Sequence, residues 1–264
     1  MITTNFVSGS PCWIELGSPD TDASIAFYRK VFGWSASEPA PDTGGYRMFQ
    51  LDGIPLAGLG PLMDEGQRPA WSVYFAAPDV DATASTVVSL GGTVHAGPMD
   101  VMSFGRMVFC ADPQGGDFGL WQAYDFPGMG VTDQDNTLCW VELWTPDGAA
   151  ALSFYGKLFG WRFQDFTLPD SPEPYRIIAP SGAAENREFG GLMGVDGAEL
   201  EATGGNADWH PVFAVADCDA AAASVRSAGG QVLMGPDDMP MVGRLALCVD
   251  PFQTGFVLLT PSPE

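Results

Sequence analysis

The chain has 264 residues, 46% of them hydrophobic, with 22 prolines and 33 glycines, which excludes a disordered chain and implies a turn-rich globular one. Its 33 acidic residues against 11 basic give a net charge of −22. Such a surface repels phosphate backbones and anionic bilayers, excluding nucleic-acid and membrane-surface partners.

The first stretch, Pro11 to Trp34, reads as strand, turn, helix and stop. Trp13 and Glu15 alternate onto one strand face. Asp20 or Thr21 caps the helix, and Gly33 ends it. Ile25, Tyr28 and Phe32 form its apolar stripe, with Phe27 and Val31 beside them. Further strands follow at Tyr46-Arg-Met-Phe and Ile54-Pro-Leu-Ala-Gly-Leu. A second unit opens at Ala70, with a helix beginning near Asp79 and the pair Gly91-Gly92. Its strands are marked by Arg106-Met-Val-Phe-Cys and Phe118-Gly-Leu-Trp. Tyr124 to Asn136 carries Gly, Pro and Asp without periodicity and reads as a linker.

After the linker the chain repeats itself. Leu138 to Trp161 restates the first stretch, since 140 − 13, 154 − 27 and 161 − 34 each give 127. Asp147 is the cap, Leu152, Tyr155 and Phe159 the stripe, and Gly160 the stop. Asp208 to Leu259 restates the second unit, since 217 − 79 and 250 − 112 both give 138. The 11-residue growth from 127 to 138 falls inside the third unit, and longer loops are expected between Asp170 and Gly205. The fold class expected is α+β: four βαβββ units, at about 11–63, 70–125, 138–195 and 207–261, forming two open barrels. The domains expected are 1–125 and 138–264, joined by a linker over 126–137. A unit of this kind exposes one sheet face, so two must combine to bury it, within a half or across halves.

No apolar run reaches bilayer length. The opening MITTNFVSGSPCW lacks a basic segment ahead of a hydrophobic core, so the expected compartment is the cytoplasm. The five cysteines (Cys12, Cys110, Cys139, Cys218 and Cys248) lack CxxC spacing, and buried apolar positions explain them better than disulfides or zinc.

The patterns D-x(6)-FY-x(3)-FGW, GG-x-V and DP-x-G resemble the vicinal oxygen chelate superfamily, which includes glyoxalase I, extradiol dioxygenases and bleomycin-resistance proteins. The resemblance covers nearly the whole chain. It is strongest to two-domain glyoxalase-like proteins that include accessory hydroxylases of anthracycline clusters and a mycobacterial antigen, which share the W-x-E-L opening and the GR…DP-x-G ending. In metal-dependent members it implies a ligand, usually His, seven residues before the Asp that opens each helix. A second, usually Glu, stands seven residues after the Asp of DP. Here the first set of positions holds Trp13, Ser72, Trp140 and His210, and the second holds Gly119 and Val257. The chain has two histidines, His95 and His210, whereas a catalytic transition metal needs several converging ligands. No metal and no cofactor are therefore expected. Glu15 and Glu142, two residues beyond Trp13 and Trp140, leave a route to a rearranged divalent-metal site.

Those glutamates are also the sharpest polar features, each a carboxylate inside an apolar strand. Burial raises a carboxyl pKa unless the group is paired, which suits acid or base chemistry; the alternative is a structural joint between units. With His210, which breaks the pseudo-symmetry, Glu15 and Glu142 are the candidate catalytic residues. Pairing across halves would set Trp13, Glu15 and His210 together, whereas pairing within a half would set His210 opposite Glu142. Arg106 and Arg244 are repeat-equivalent cations, suited to an anionic or carbonyl oxygen of a ligand or to surface carboxylates. Trp13, Trp71, Trp121, Trp140 and Trp209 are expected to line concave sheets, core packing explaining most of them, and Ser72 to face the same space. Such a cavity suits a flat aromatic or polyketide-like ligand. The expected function is therefore metal-free binding of, or atypical chemistry on, a bulky apolar or aromatic small molecule in secondary metabolism or resistance, by a monomer or homodimer. The alternative is a metal-dependent lyase or dioxygenase with relocated ligands.

Overall fold

The structure, a computed structural model, describes residues 1–39, 43–63, 66–167, 174–182 and 186–262. Four βαβββ modules follow one another. The first holds β1 (Pro11–Ser18), α1 (Thr21–Phe32), β2 (Ser35–Ala36), β3 (Arg47–Leu51) and β4 (Ile54–Pro61). The second holds β5 (Ala70–Ala76), α2 (Val80–Ser89), β6 (Thr93–Val101), β7 (Gly105–Ala111) and β8 (Asp117–Ala123). The third holds β9 (Leu138–Thr145), α3 (Gly148–Phe159), β10 (Arg162–Phe166), β11 (Tyr175–Ala179) and β12 (Gly190–Gly194). After a 3-10 turn at Glu201–Thr203, the fourth holds β13 (Asp208–Ala214), α4 (Cys218–Ser227), β14 (Gln231–Met239), β15 (Gly243–Val249) and β16 (Gly255–Pro261).

Each module's first strand pairs in parallel with its last. Two open eight-stranded mixed sheets result, in the orders β2-β3-β4-β1-β5-β8-β7-β6 and β10-β11-β12-β9-β13-β16-β15-β14. Among the described residues no helix is long and apolar enough to cross a membrane.

Helix boundaries follow the chemistry read from the sequence. Asp20, Asp79, Asp147 and Asp217 each accept the N–H three residues on, at 2.9 Å. Thr21 is the first helical residue and not the cap. Gly33 and Gly160 end α1 and α3 at φ 76° and 67°, where any other residue would be strained. One stripe differs: Leu152 is only half-buried, and Ala151, Phe154, Tyr155 and Phe159 form the buried face of α3. Of the longer loops expected between Asp170 and Gly205, residues 170–173 and 183–185 lie outside the described residues.

Packing divides the chain into two compact units. One comprises Met1–Cys12, Val73–Gly128 and Trp140–His210; the other comprises Trp13–Ser72, Met129–Cys139 and Pro211–Glu264. Most of the second and third modules, with the start of β13, thus supply one core, and most of the first and fourth, with the start of β5, supply the other. The first core is aromatic, with Phe75 at 5.1 Å from Trp161 and 5.2 Å from Trp209, and Tyr155 stacked on Trp161 at 5.0 Å. Tyr155 Oη donates to Asp112 Oδ2 at 3.1 Å and accepts from Trp209 Nε1 at 3.0 Å. The other core repeats the device: Tyr28 Oη donates to Asp250 Oδ2 at 3.4 Å and accepts from Trp71 Nε1 at 3.1 Å. Trp71 and Trp209 are therefore among the tryptophans that core packing explains. Their alternation phase on β5 and β13 points them at the helices.

Candidate functional site

The two faces of each opening strand are unlike. Ser18 Oγ lies 2.8 Å from Ser24 Oγ on α1, so Ile14, Leu16 and Ser18 face the helix, and Trp13, Glu15 and Gly17 face away. On β9, Val141, Leu143 and Thr145 are buried, while Trp140, Glu142 and Trp144 on the opposite face are all half-buried. On β13 the core-facing Trp209 puts Asp208 and His210 on the other face.

In the unit containing β9, these side chains form one connected group. Trp140 Nε1 donates to Tyr175 Oη at 2.8 Å, and Trp144 Nε1 donates to Glu142 Oε2 at 2.8 Å. Tyr175 also hydrogen-bonds Glu142; burial, then the Glu142 charge, raises its phenol well above the usual range. The His210 ring lies 4.7 Å from that of Trp144, and its Nε2 is 3.3 Å from Asp208 Oδ2. His210 is 9% exposed, and its Nδ1 is buried without a partner.

A glycine makes the arrangement possible. Gly191 of β12 pairs with Glu142 of β9, and a Cβ there would sit 1.7 Å from Tyr175 Oη. The phenol ring therefore crosses bare backbone to reach the carboxylate.

The other unit carries a reduced version of the same group. Trp13 Nε1 donates to Tyr46 Oη at 3.1 Å, and Tyr46 hydrogen-bonds Glu15. Gly58 pairs with Glu15, and a Cβ on it would lie 2.0 Å from Tyr46 Oη. Burial raises the Glu15 carboxyl above its usual value, with the Tyr46 bond opposing it. Here Gly17 stands where β9 has Trp144, and Ser72 stands where β13 has His210.

The remaining sequence candidates lie elsewhere. Trp121 Nε1 donates to the Phe126 carbonyl at 2.9 Å. Arg106 is held by Asp81 (2.8 Å) and Asp100 (3.0 Å), and Arg244 by Asp219 (2.6 Å) and Asp238 (3.2 Å). All five cysteines are free and buried, and burial pushes the Cys139 thiol up to about 12, which leaves it inert as a nucleophile. The sequence reading missed Tyr46, Tyr175, Trp144 and Asp208 as site residues. The recurrent Tyr-Arg dipeptide was the available signal, shifted off the 127-residue register because 175 − 46 is 129.

Residues 12–119 and 137–258 match the Glyoxalase/Bleomycin resistance protein/Dioxygenase superfamily. The chain belongs to that superfamily. It is 37% identical over 266 residues to "Putative glyoxylase CFP32" of Mycobacterium tuberculosis (strain CDC 1551 / Oshkosh), covering 99% of this chain and 98% of the relative. It is also 37% identical to the anthracycline biosynthesis protein DnrV of Streptomyces peucetius, covering 96% and 94%. Among solved structures it resembles the 2,3-dioxygenase LapB from Pseudomonas sp. KL28 (TM-score 0.68, 14% identity, 98% and 94% covered). It also resembles the Mn(II)-bound glyoxalase from Novosphingobium aromaticivorans (TM-score 0.63, 16% identity, 97% and 89% covered). At those identities the likeness is one of fold.

The side chains at the superfamily's usual ligand positions do not fit a transition metal. They offer one imidazole (His210) and one hydroxyl (Ser72) among Trp13, Trp140, Gly119 and Val257. The space at Gly119 is taken by the Tyr74 ring, whose Cδ1 would lie 2.0 Å from a Cβ added there.

Proposed function

We propose that this superfamily member binds a flat aromatic or bulky apolar small molecule on the helix-free face around β9, without the metal used by metal-dependent relatives. The observation that carries the reading is that Trp140, Glu142 and Trp144 stand half-buried together on a face whose reverse is fully buried. Large aromatic side chains left part-open beside a fixed carboxylate suit stacking of a planar ligand with one polar anchor. The Streptomyces relatives are named for anthracycline biosynthesis, which supports a role in secondary metabolism, as an accessory or atypical enzyme or as a resistance protein. His210 and Trp144 have Ser72 and Gly17 as counterparts, so the β9 face is the one equipped to hold the ligand.

The test uses 1-methoxynaphthalene followed by titration calorimetry. Replacing Trp144 with Ala is expected to weaken binding by roughly 0.5–1.5 kcal/mol, about two- to tenfold. Unchanged affinity in both Trp140→Ala and Trp144→Ala would remove the site from the β9 face. Metal analysis of the same protein bears on the second half of the reading. Close to one equivalent of transition metal per chain, lost in Glu142→Gln, would favour the lyase or dioxygenase with relocated ligands.

A further inference from the structure

The donors on the β9 face are already spent. The Trp140 N–H goes to Tyr175, the Trp144 N–H goes to Glu142, and the Tyr175 hydroxyl bonds the same carboxylate. Acceptors remain. The Asp208 carboxylate lies 3.3 Å from His210 Nε2 and favours the tautomer that carries the imidazole proton on that nitrogen. Nδ1 is then a lone pair, buried and without a donor. A buried acceptor left unmatched is costly, so such an atom points to a missing donor. Ser72, the counterpart of His210, has no such atom, and the chain's pseudo-symmetry gives no structural reason for an imidazole here.

We propose that His210 Nδ1 accepts a hydrogen bond from a neutral hydroxyl on the aromatic ligand, so that the site selects hydroxyarenes over their ethers and over aromatic carboxylates. This deepens the reading above and rests on it. The hydroxyl keeps its proton, because an oxyanion would sit near the Glu142 and Asp208 carboxylates and be repelled. Reaching Nδ1 takes a shift of neighbouring side chains, of which Trp144 is in ring contact with the imidazole.

The experiment compares 1-naphthol, 1-methoxynaphthalene and 1-naphthoate on the full chain by calorimetry. Wild type is expected to bind naphthol roughly tenfold more tightly than the ether, and naphthoate most weakly. His210→Gln, which removes the group at the Nδ1 position, should equalise naphthol and ether. His210→Asn, whose amide oxygen can occupy that position, should keep part of the preference. A readout free of variants follows from there being two histidines, His95 and His210. The 15N resonance of His210 Nδ1 should move with naphthol and stay with the ether. Equal affinity for naphthol and ether in wild type, or a preference that survives in His210→Gln, overturns the proposal and leaves the aromatic site standing. So does tighter binding of naphthoate. Failure of all three to bind wild type overturns both readings.

Discussion

Tyr28 and Tyr155 each hold a buried hydroxyl between an indole donor and a carboxylate acceptor. Removing the hydroxyl strands both partners, so Tyr155→Phe is expected to cost about 1–3 kcal/mol in urea unfolding. Burial raises Asp112 above its ordinary 3.8, against the opposing N–H bonds of Gly116 and Gln114 and that of Tyr155. The folded chain therefore keeps this proton to higher pH than the unfolded one. Its contribution to stability is full below 3.8 and declines as pH rises through the folded value. Asp250 shifts the same way. Urea titrations between about pH 4 and pH 7 should show a shallower decline in Asp112→Asn than in wild type. The sequence marked these aspartates through the recurrent DP pair, but only as counting points. That Tyr155 on α3 satisfies Asp112 is a long-range contact between the modules of one unit, and no local spacing encodes it. His210 was legible as the one asymmetric residue; its partner Asp208 was not, being one of 33 acidic residues.

At the scale of elements, the regular parts of each module were readable because they are written in local chemistry. Four aspartate caps and two left-handed glycines set the helices, and alternation set the strand faces. The site depends instead on β4 and β12, where Gly58 and Gly191 let a tyrosine ring cross the strand. In the sequence those glycines look like ordinary members of an apolar run. Their separation, 191 − 58 = 133, also falls off both repeat registers. Between Trp161 and Trp209 the offset climbs through 129 and 133 to 138, so the insertion is spread over several turns. Gly191→Ala is expected to push Tyr175 off the strand, release the Trp140 indole and destabilise the fold by roughly 1–3 kcal/mol. A red-shifted tryptophan emission with a lowered melting temperature would record it. Native emission and an unchanged melting temperature would show that the ring is held by something other than bare backbone.

At the scale of the whole molecule, each core takes most of one module from each half of the chain. Tyr28 meets Asp250, and Tyr155 meets Asp112, although Tyr28 and Asp112 lie in the same half. A polypeptide ending at residue 137 would thus carry the tyrosine of one clasp and the aspartate of the other, unable to close either upon itself. Two copies of it would close both. Expressed alone, residues 1–137 are expected to sediment as a homodimer in which Tyr28 of each copy reaches the other's Asp112, and Tyr28→Phe should weaken the association. A folded monomer would contradict this. The present chain has the form that such a dimer takes when its sequence is written twice in tandem. Once the two copies were covalently joined, neither had to stay its own mirror. One copy carries Ser72 and Gly17 where the other carries His210 and Trp144.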